Sequence, residues 1–208
     1  YFSNNPGWAE QDADYYWKSL GEACQNLWSQ GIVKPEQIKG VSLTTQRYTM
    51  INLDADKTPL RPAIVWMDQR RAEVKKPLTG VWGFLIKALG LTNVIAELRA
   101  KARDNWIQQQ QPEVWKKTKH YISLSTYLVY KLTNQMKDST GSTMGYLPYD
   151  YRKQQWAKKS DLKWKLLAAT RDMMPELVKP GELLGEITAE ASAFTSLPVG
   201  LKMIAAAS

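Results

Sequence analysis

The stretch Gly40-Val-Ser-Leu-Thr-Thr-Gln-Arg47 carries the pattern that decides the fold class. In it, Val41 and Leu43 alternate with polar residues, which is the two-residue period of a half-buried β-strand. Residues 48–53 and 63–66 predict a second and a third short strand. A segment with helical periodicity precedes all three. A helix followed by several strands predicts an α/β domain and not a helical bundle.

Two segments have the spacing of an amphipathic helix. Apolar side chains form one stripe between residues 13 and 28, with Asp12 placed to cap this helix and Gly31 to end it. A second stripe runs from residue 91 to residue 106, and a polar run ahead of Pro112 closes it. We therefore predict one helix over each stripe.

The second half of the chain is less regular. Residues 121–132 fit a strand or a helix, and leucines at helical spacing favour a helix capped by Ser123. Segments 183–188 and 202–207 are candidate strands. Residues 138–145 are small and polar, which is typical of backbone that approaches a ligand or another element closely.

Composition excludes several classes of protein. The chain has 208 residues, of which 44% are hydrophobic and 23% charged, as in an ordinary globular protein. Cys24 is the only cysteine and His120 the only histidine, so neither a zinc site nor a Ser-His-Asp triad is predicted. The longest apolar stretch, 81–86, is far shorter than the ~20 residues of a membrane helix. We expect a cytoplasmic protein with no metal site of its own and no membrane partner.

The net charge of +8 raises the question of a nucleic-acid partner. Positive charge is densest over residues 152–165, and the sequence there predicts a helix, with Leu162, Leu166, Ala169 and Met173 on one face and most lysines on the other. A solvated basic face explains this pattern. Because no RNA- or DNA-binding motif accompanies the charge, no nucleic-acid partner is predicted.

Two polar clusters follow predicted strands. Gln46 and Arg47 lie beyond the first strand, and Trp66, Asp68 and Arg70 lie at and beyond the third. Ligands of α/β sheets bind where strands end. Amide, carboxylate and guanidinium groups suit the hydroxyls of a polyhydroxylated molecule, and an indole suits its carbon face. A surface loop bridged by Arg–Asp ion pairs explains the same residues equally well.

The order of these segments resembles the FGGY carbohydrate kinases, a family that includes xylulose, gluconate, ribulose and glycerol kinases. The resemblance begins with Pro-Gly-Trp-Ala-Glu-Gln-Asp at 6–12, the stretch quoted above at 40–47, and Leu-Arg-Pro-Ala-Ile-Val-Trp-Met-Asp-Gln-Arg at 60–70. It continues in the family's order through residues 106–107, 127–133, 138–141, 156, 174–177, 185–188 and 197–201. It therefore covers nearly the whole chain, although no single motif is decisive.

The resemblance implies a fold and a reaction. The fold is expected to be α/β of the ribonuclease-H-like, actin-like ATPase kind, with a mixed sheet flanked by helices and its first strands missing. The intact protein is expected to bind a sugar or polyol between this domain and its own C-terminal nucleotide domain, and to use ATP and Mg²⁺. Whether it forms a homodimer is left open.

The resemblance also implies substrate-binding residues. In the family the two positions after the strand-end glutamine contact substrate hydroxyls. Here the glutamine is Gln46 and those positions are Arg47 and Tyr48. Trp66 matches a tryptophan that lines the same pocket, while Asp68 and Arg70 match residues expected to shape its loop.

Two departures from the family pattern leave the substrate open. Tyr48 stands where glycerol kinases carry an acidic residue. In the signature around Trp106, Arg103 replaces the usual lysine, and Ala100 replaces a proline, serine or threonine.

The ends of the chain suggest a piece of a longer protein. It begins with Tyr1, and residues 198–208 read as a turn running into an apolar strand, so both ends are expected to be cuts. By resemblance, the general-base Asp is expected just after Ser208, and the Asp-Gly-Thr turn that approaches nucleotide phosphates is expected before Tyr1. We therefore expect residues 1–208 to be the sugar-binding domain of a kinase, inactive alone. The alternative is a relative that binds sugar without catalysis.

Overall fold

A computed structural model describes residues 1–74, 77–143 and 146–206. Its strands are β1 (Glu10–Gln11), β2 (Met50–Leu53), β3 (Ala63–Ile64), β4 (His120–Ser123), β5 (Lys137–Ser139), β6 (Tyr149–Asp150), β7 (Gln155–Trp156), β8 (Glu176–Val178), β9 (Leu183–Glu186) and β10 (Lys202–Ile204). Its α-helices are α1 (Ala13–Ser29), α2 (Gly80–Ala88), α3 (Thr92–Lys101), α4 (Arg103–Gln110), α5 (Pro112–Lys117), α6 (Leu124–Thr133) and α7 (Ala189–Thr195).

A four-stranded sheet in the order β1-β3-β2-β4 organises the first half of the chain. All its neighbouring strands are antiparallel. Glu10 pairs with Ile64, Ile64 with Met50, and Met50 with Ser123, so these four residues form one row across the sheet. That row marks the end of the sheet where the polar clusters lie.

Alternation along the strands buries both faces of this sheet. Met50 and Tyr121 face the core that contains Trp106 and Ile107 of α4. Ile51, Leu53 and Ile122 face the opposite core, which contains residues of α1 and α6. The sheet therefore lies between helices, as a strand buried on both faces requires.

The remaining strands form three small pairs. β9 and β10 are antiparallel, β5 and β8 are parallel, and β6 and β7 are antiparallel. Val41 forms an isolated parallel bridge with Met203. The α/β prediction with mixed strand directions is confirmed, as are strands within 183–188 and 202–207, although residue 207 lies outside the described residues.

The three strands predicted first are shorter than expected. The strand at 41–44 reduces to the bridge at Val41, because the residues that follow lead away from β10 towards β2, an inner strand of the four-stranded sheet. The second strand begins at Met50, since Tyr48 has a φ of 58° and cannot continue a strand. The third ends at Ile64, because a turn follows in which the Asp68 amide donates to the Val65 carbonyl.

The first two predicted helices each need one correction. The first is α1, which ends before Gly31 at a φ of 66°, but the Asp12 side chain makes no capping bond. The second is not one helix: Ala102 adopts an extended conformation and separates α3 from α4. The helix capped by Ser123 is confirmed as α6, with the Ser123 hydroxyl accepting from the Thr126 amide at 3.2 Å.

The predicted helix over 162–173 is wrong. The structure has only 3-10 turns at Leu162–Leu166 and Arg171–Met173. Leu167 is extended between them, and the amide of Ala169 donates to the buried carboxylate of Asp104 at 2.7 Å. This contact with α4 requires a chain direction that a continuous helix would not give. Of the small polar segment 138–145, residues 144 and 145 lie outside the described residues.

Within the described ranges no single helix is long and apolar enough to cross a membrane. The consecutive helices α2 and α3 meet the length and composition criteria only as a pair, bent by 119°.

Candidate functional site

The antiparallel register brings three segments, two loops and the start of a helix, to one end of the sheet. Residues 45–49 lead into β2, residues 65 and 66 follow β3, and the first residues of α6 follow β4. Met50, Ile64 and Ser123 are register partners, so these segments start side by side. The polar clusters predicted from sequence therefore meet at this edge.

Arg103 ties two of these loops together. Its side chain is buried, and its guanidinium donates to the carbonyl oxygens of Ile64 at 3.2 Å, Trp66 at 2.8 Å, and Tyr48. Burial lowers the pKa of Arg103, but the planar fork of donors matches carbonyls on two segments at once. Sequence reasoning treated Arg103 only as a departure from the family signature and missed this role.

Tyr48 forms the middle of an aromatic stack. The guanidinium of Arg103 lies 3.9 Å from the centre of the Tyr48 ring. The ring of Tyr146 stacks against Tyr48 with centroids 4.8 Å apart and 15° between the planes. The Tyr48 hydroxyl donates to the Lys101 carbonyl at 3.1 Å, and burial raises the pKa of this phenol to about 12. Tyr48 is therefore neutral at physiological pH, and its ring forms a wall of the site.

Arg47 and Gln46 differ in their freedom. Arg47 is exposed and has no hydrogen bond or ion pair with any described residue. The Gln46 amide donates to the Tyr16 hydroxyl at 2.6 Å, which fixes its side chain against α1. Both residues line a small cavity of about 20 Å³ whose floor includes Asp138. Arg47 is thus the group of this loop that can reach a ligand.

Asp138 holds the start of α6 in place. Its Oδ2 accepts hydrogen bonds from the hydroxyls of Ser123 at 2.6 Å, Ser125 at 2.7 Å and Thr126 at 2.8 Å. Its Oδ1 accepts from the Ser139 amide at 2.8 Å. The carboxylate is buried, and its partners satisfy both oxygens. It therefore joins β5 to the N-terminus of α6 and closes one side of the cavity.

Trp66 is presented outward, whereas Asp68 and Arg70 point inward. Trp66 is 55% exposed. Arg70 is buried between the rings of Trp8 and Trp106, 4.1 and 4.5 Å from their centres. It donates to Asp68 at 2.7 and 2.8 Å.

The inward-pointing pair is anchored to the rest of the sheet. The Arg70 guanidinium also donates to Glu10 of β1 at 2.8 Å, and Asp68 accepts from the Ala9 amide at 2.6 Å. Asp68 and Arg70 thus form the Arg–Asp pair that the sequence offered as an alternative. They lie beneath the loop that carries Trp66.

The structure therefore divides the six predicted site residues into three groups. Arg47 and Trp66 present exposed side chains, and Gln46 and Tyr48 line the site while bonded to the protein. Asp68 and Arg70 support the loop from inside. Exposure and orientation, which separate these groups, are not encoded in the spacing of the residues.

Among residues 1–74, 77–143 and 146–206 there is no group of three His, Cys, Asp or Glu side chains that could hold a metal ion.

Comparison with known proteins identifies the family. Residues 2–208 match the model of the FGGY family of carbohydrate kinases, N-terminal domain. The chain belongs to this family. Its fold is that of actin-like ATPases, shared with solved FGGY sugar kinases, so the predicted ribonuclease-H-like class is confirmed.

Individual relatives are distant and longer. The xylulose kinase of Staphylococcus epidermidis is 24% identical over 187 residues, which cover 90% of this chain and 36% of that protein. The glycerol kinase of Thermococcus gammatolerans is 25% identical over 185 residues, covering 86% of this chain and 36% of that protein. The ligand-bound xylulose kinase structure from Lactobacillus acidophilus matches 99% of this chain and 41% of its own, with a TM-score of 0.76 and 18% identity. The chain thus spans little more than a third of the curated relatives it matches.

Proposed function

We propose that this chain is the substrate-binding domain of an ATP-dependent carbohydrate kinase that transfers a phosphoryl group to a hydroxyl of a sugar or polyol. One observation carries the proposal. The exposed side chains of Arg47 and Trp66 project from two loops that the buried Arg103 joins through their carbonyl oxygens. A cation and an exposed indole on two joined loops suit the hydroxyl and carbon faces of one sugar, although Trp66 does not line the small cavity that Arg47 lines.

Each residue of the site has a proposed part in binding. Arg47 donates hydrogen bonds to substrate hydroxyls, and Trp66 packs against the carbon face. The Tyr48 ring limits the site on the side of Tyr146, since its own hydroxyl is bonded to Lys101. Gln46 shapes the loop from its bond to Tyr16, and Asp68 and Arg70 hold the Trp66 loop in position.

The phosphoryl donor and the general base belong to other parts of the proposed kinase. Phosphoryl transfer relies on bound phosphates, Mg²⁺ and a base that accepts the hydroxyl proton. The proposal assigns that base to an Asp following residue 208 and the ATP site to a C-terminal domain. Closure of the two domains over the sugar would exclude water from the reaction. Residues 1–208 alone are then expected to bind substrate without consuming ATP.

The test is calorimetric titration of the 208-residue chain with a panel of pentoses, ketoses, polyols and sugar acids, followed by a coupled assay of ATP consumption. We expect saturable binding of at least one compound and no ATP consumption. If no member of the panel binds at millimolar concentration, substrate binding is contradicted. Sugar-dependent ATP consumption by this chain would contradict the assignment of ATP binding and the general base to other parts of the protein.

A relative that binds sugar without catalysis is the second candidate, and the departures at Tyr48 and Arg103, which leave the substrate open, fit either candidate. It predicts the same binding by the 208-residue chain. The two candidates separate in the longer protein, where only the kinase consumes ATP in the presence of the sugar that binds. A folded longer protein that binds both ATP and sugar without turnover would establish the second candidate.

A further inference from the structure

A second cavity, of about 140 Å³, lies on the other side of Tyr48 from the small polar cavity that Arg47 lines. Helix α3 contributes Leu98 to its wall, and the segment that begins at residue 146 contributes Tyr146. Tyr48, Tyr121 and Leu147 line both this cavity and the polar one, so these three side chains separate the two. The volume is close to the ~150 Å³ of an engineered apolar cavity that holds a benzene molecule.

The cavity offers little to a hydroxyl group. Most of its wall is carbon, from the rings of three tyrosines and the side chains of Leu98, Ala102, Leu147, Pro148, Leu166 and Leu167. A hydroxyl moved from water into such a wall loses hydrogen bonds that the wall does not replace.

The charged groups at the cavity already have partners. Asp104 accepts from the Ala169 amide at 2.7 Å, and the Lys163 ammonium donates to the Tyr149 carbonyl at 3.4 Å. The Tyr48 hydroxyl is likewise bonded to Lys101. Each of these groups retains capacity for further hydrogen bonds. The cavity is nevertheless suited to an apolar group, because carbon makes up most of its wall.

Of the residues that the two cavities share, Tyr48 lies next to Arg47. Tyr48 follows Arg47 directly, and its left-handed backbone, with φ at 58°, places the ring between the two spaces. A ligand held by Arg47 therefore meets Tyr48 as its nearest boundary. A substituent reaches the apolar cavity only when the Tyr48 ring turns aside, because that ring lines both spaces.

We infer that the cavity beside Tyr48 is a subsite for an apolar end group of the substrate, so that the site prefers a sugar or polyol with a terminal deoxy carbon or larger alkyl or aryl substituent over the fully hydroxylated compound. This inference rests on the proposed function. It specifies the class of substrate, which the family alone does not.

The experiment compares matched ligand pairs by calorimetric titration of the 208-residue chain. Galactitol is compared with 1-deoxygalactitol, xylitol with 1-deoxyxylitol, and the tightest ligand of the screen with its terminal deoxy analogue. We expect the deoxy member of a binding pair to bind about tenfold or more tightly, because a hydrophobic pocket discriminates a single group by about that factor. Equal affinities, or tighter binding of the hydroxylated member, would overturn the inference while leaving the proposed function intact.

A filled cavity provides the matched variant. Leu98→Trp places a larger side chain in the cavity from a helix position that is 41% exposed, and Val94→Trp makes a comparable change one turn earlier on α3, outside the cavity lining. Leu98→Trp is expected to reduce the deoxy preference to less than twofold, whereas Val94→Trp retains it. Leu98→Phe serves if the tryptophan variant does not fold. A preference that survives filling would contradict the assignment of this cavity.

Failure of every polyol to bind would count against the proposed function, and benzene then tests the cavity by itself. Ligand-observed NMR with millimolar benzene should detect binding to the wild-type chain and to Val94→Trp, with at least a fivefold weaker signal for Leu98→Trp. Benzene binding of this pattern supports an apolar subsite without the sugar site. Absence of benzene binding, or binding unaffected by Leu98→Trp, overturns the subsite.

Discussion

Two arginines are buried at the same edge of the sheet, and the regions around them neutralise positive charge in different ways. Arg70 meets the carboxylates of Asp68 and Glu10 and is packed between Trp8 and Trp106. Arg103 has no carboxylate partner among the described residues, and its donors meet carbonyl oxygens and the face of Tyr48.

The two arginines therefore have different roles: Arg70 stabilises the fold, and Arg103 positions two loops. An ion pair with two carboxylates holds one loop against β1, so the Arg70 region resists unfolding. Carbonyl acceptors on two loops make the Arg103 region sensitive to the distance between them, and these loops carry Arg47 and Trp66. Free energies of unfolding should therefore respond most strongly in the first region, and ligand affinity in the second.

The largest effect on stability is expected at Arg70. Arg70→Ala leaves the buried carboxylate of Asp68 without its cation, while Glu10 keeps its ion pair with the buried Arg61. Loss of a partner from a buried ion pair costs about 3–5 kcal/mol of unfolding free energy. Urea denaturation followed by tryptophan fluorescence measures the change. Arg71→Ala, at the neighbouring exposed pair with Glu97, is the matched control and should leave the midpoint unchanged. Equal unfolding midpoints for the two variants would mean that the buried ion pairs of Arg70 contribute no more to stability than an exposed ion pair.

Arg103→Lys is expected to have the next largest effect. An ammonium group cannot reach acceptors on both loops in the geometry of the guanidinium fork, so about 3 kcal/mol of hydrogen bonding is lost. Affinity for the substrate should fall with it, because the two loops lose their common anchor.

The control for Arg103→Lys is Arg47→Lys, the same chemical change at an exposed position in the adjacent loop. Its unfolding midpoint should match that of the wild type. If Arg103→Lys retains both wild-type stability and wild-type affinity, Arg103 does not position the loops.

Asp104 is expected to give a smaller, pH-dependent effect. Burial raises the pKa of this carboxyl to about 6, against opposing hydrogen bonds from backbone amides such as that of Ala169. Between about pH 4 and pH 6 the folded state thus retains a proton that the unfolded state has lost. The contribution to stability is present at pH 4 and is lost as the pH rises through 6, a change on the order of 2 kcal/mol.

Asp104→Asn should abolish this part of the pH dependence. Unfolding free energies at pH 4.5, 5.5, 6.5 and 7.5 are compared between wild type and variant, and their difference should change across the series. Asp172→Asn, whose carboxylate is exposed beside Lys159, should leave the profile parallel to that of the wild type. Parallel profiles for Asp104→Asn would mean that Asp104 is ionised throughout.

The smallest effect on stability is expected at Arg47. This side chain is exposed and has no bond to any described residue, so Arg47→Ala should leave the unfolding midpoint unchanged. It should nevertheless weaken sugar binding by about 1–3 kcal/mol, because substrate hydroxyls lose their donor. Calorimetric titration with the tightest ligand of the screen measures this loss. Unchanged affinity would exclude Arg47 from the site. The Arg70 and Arg103 regions would then be distinguished by stability alone.

Local sequence patterns were sufficient for the elements that local physics determines. The stripe of α1 and the Ser123 cap of α6 follow from helical periodicity and capping, and the structure confirms both. Both features depend on residues that are close in sequence. The meeting of the polar loops depends instead on the antiparallel register of Met50 with Ile64 and Ser123, which local patterns do not fix.

The features that the sequence did not predict depend on distant partners. The break at Ala102 and the inward turn of Arg103 depend on carbonyl oxygens about 40–55 residues earlier. The extended chain around Ala169 depends on Asp104. The left-handed backbone of Tyr48 goes against the ordinary preference of an aromatic residue, and its ring is held by Arg103 and Tyr146. None of these partners is visible to a pattern read over one or two turns.

The packing of α1 has a consequence for synthesis. The indole of Trp28 donates to the Thr195 carbonyl at 2.8 Å, and Trp17 stacks on Phe194 with centroids 4.8 Å apart. These partners lie roughly 170 residues later, and ribosomes add about 5–20 residues per second, so α1 waits about 10–30 s for them. During that interval its tryptophans are available to chaperones or to neighbouring nascent chains. The rate of translation, which leaves no trace in the finished fold, therefore sets how long this helix is vulnerable.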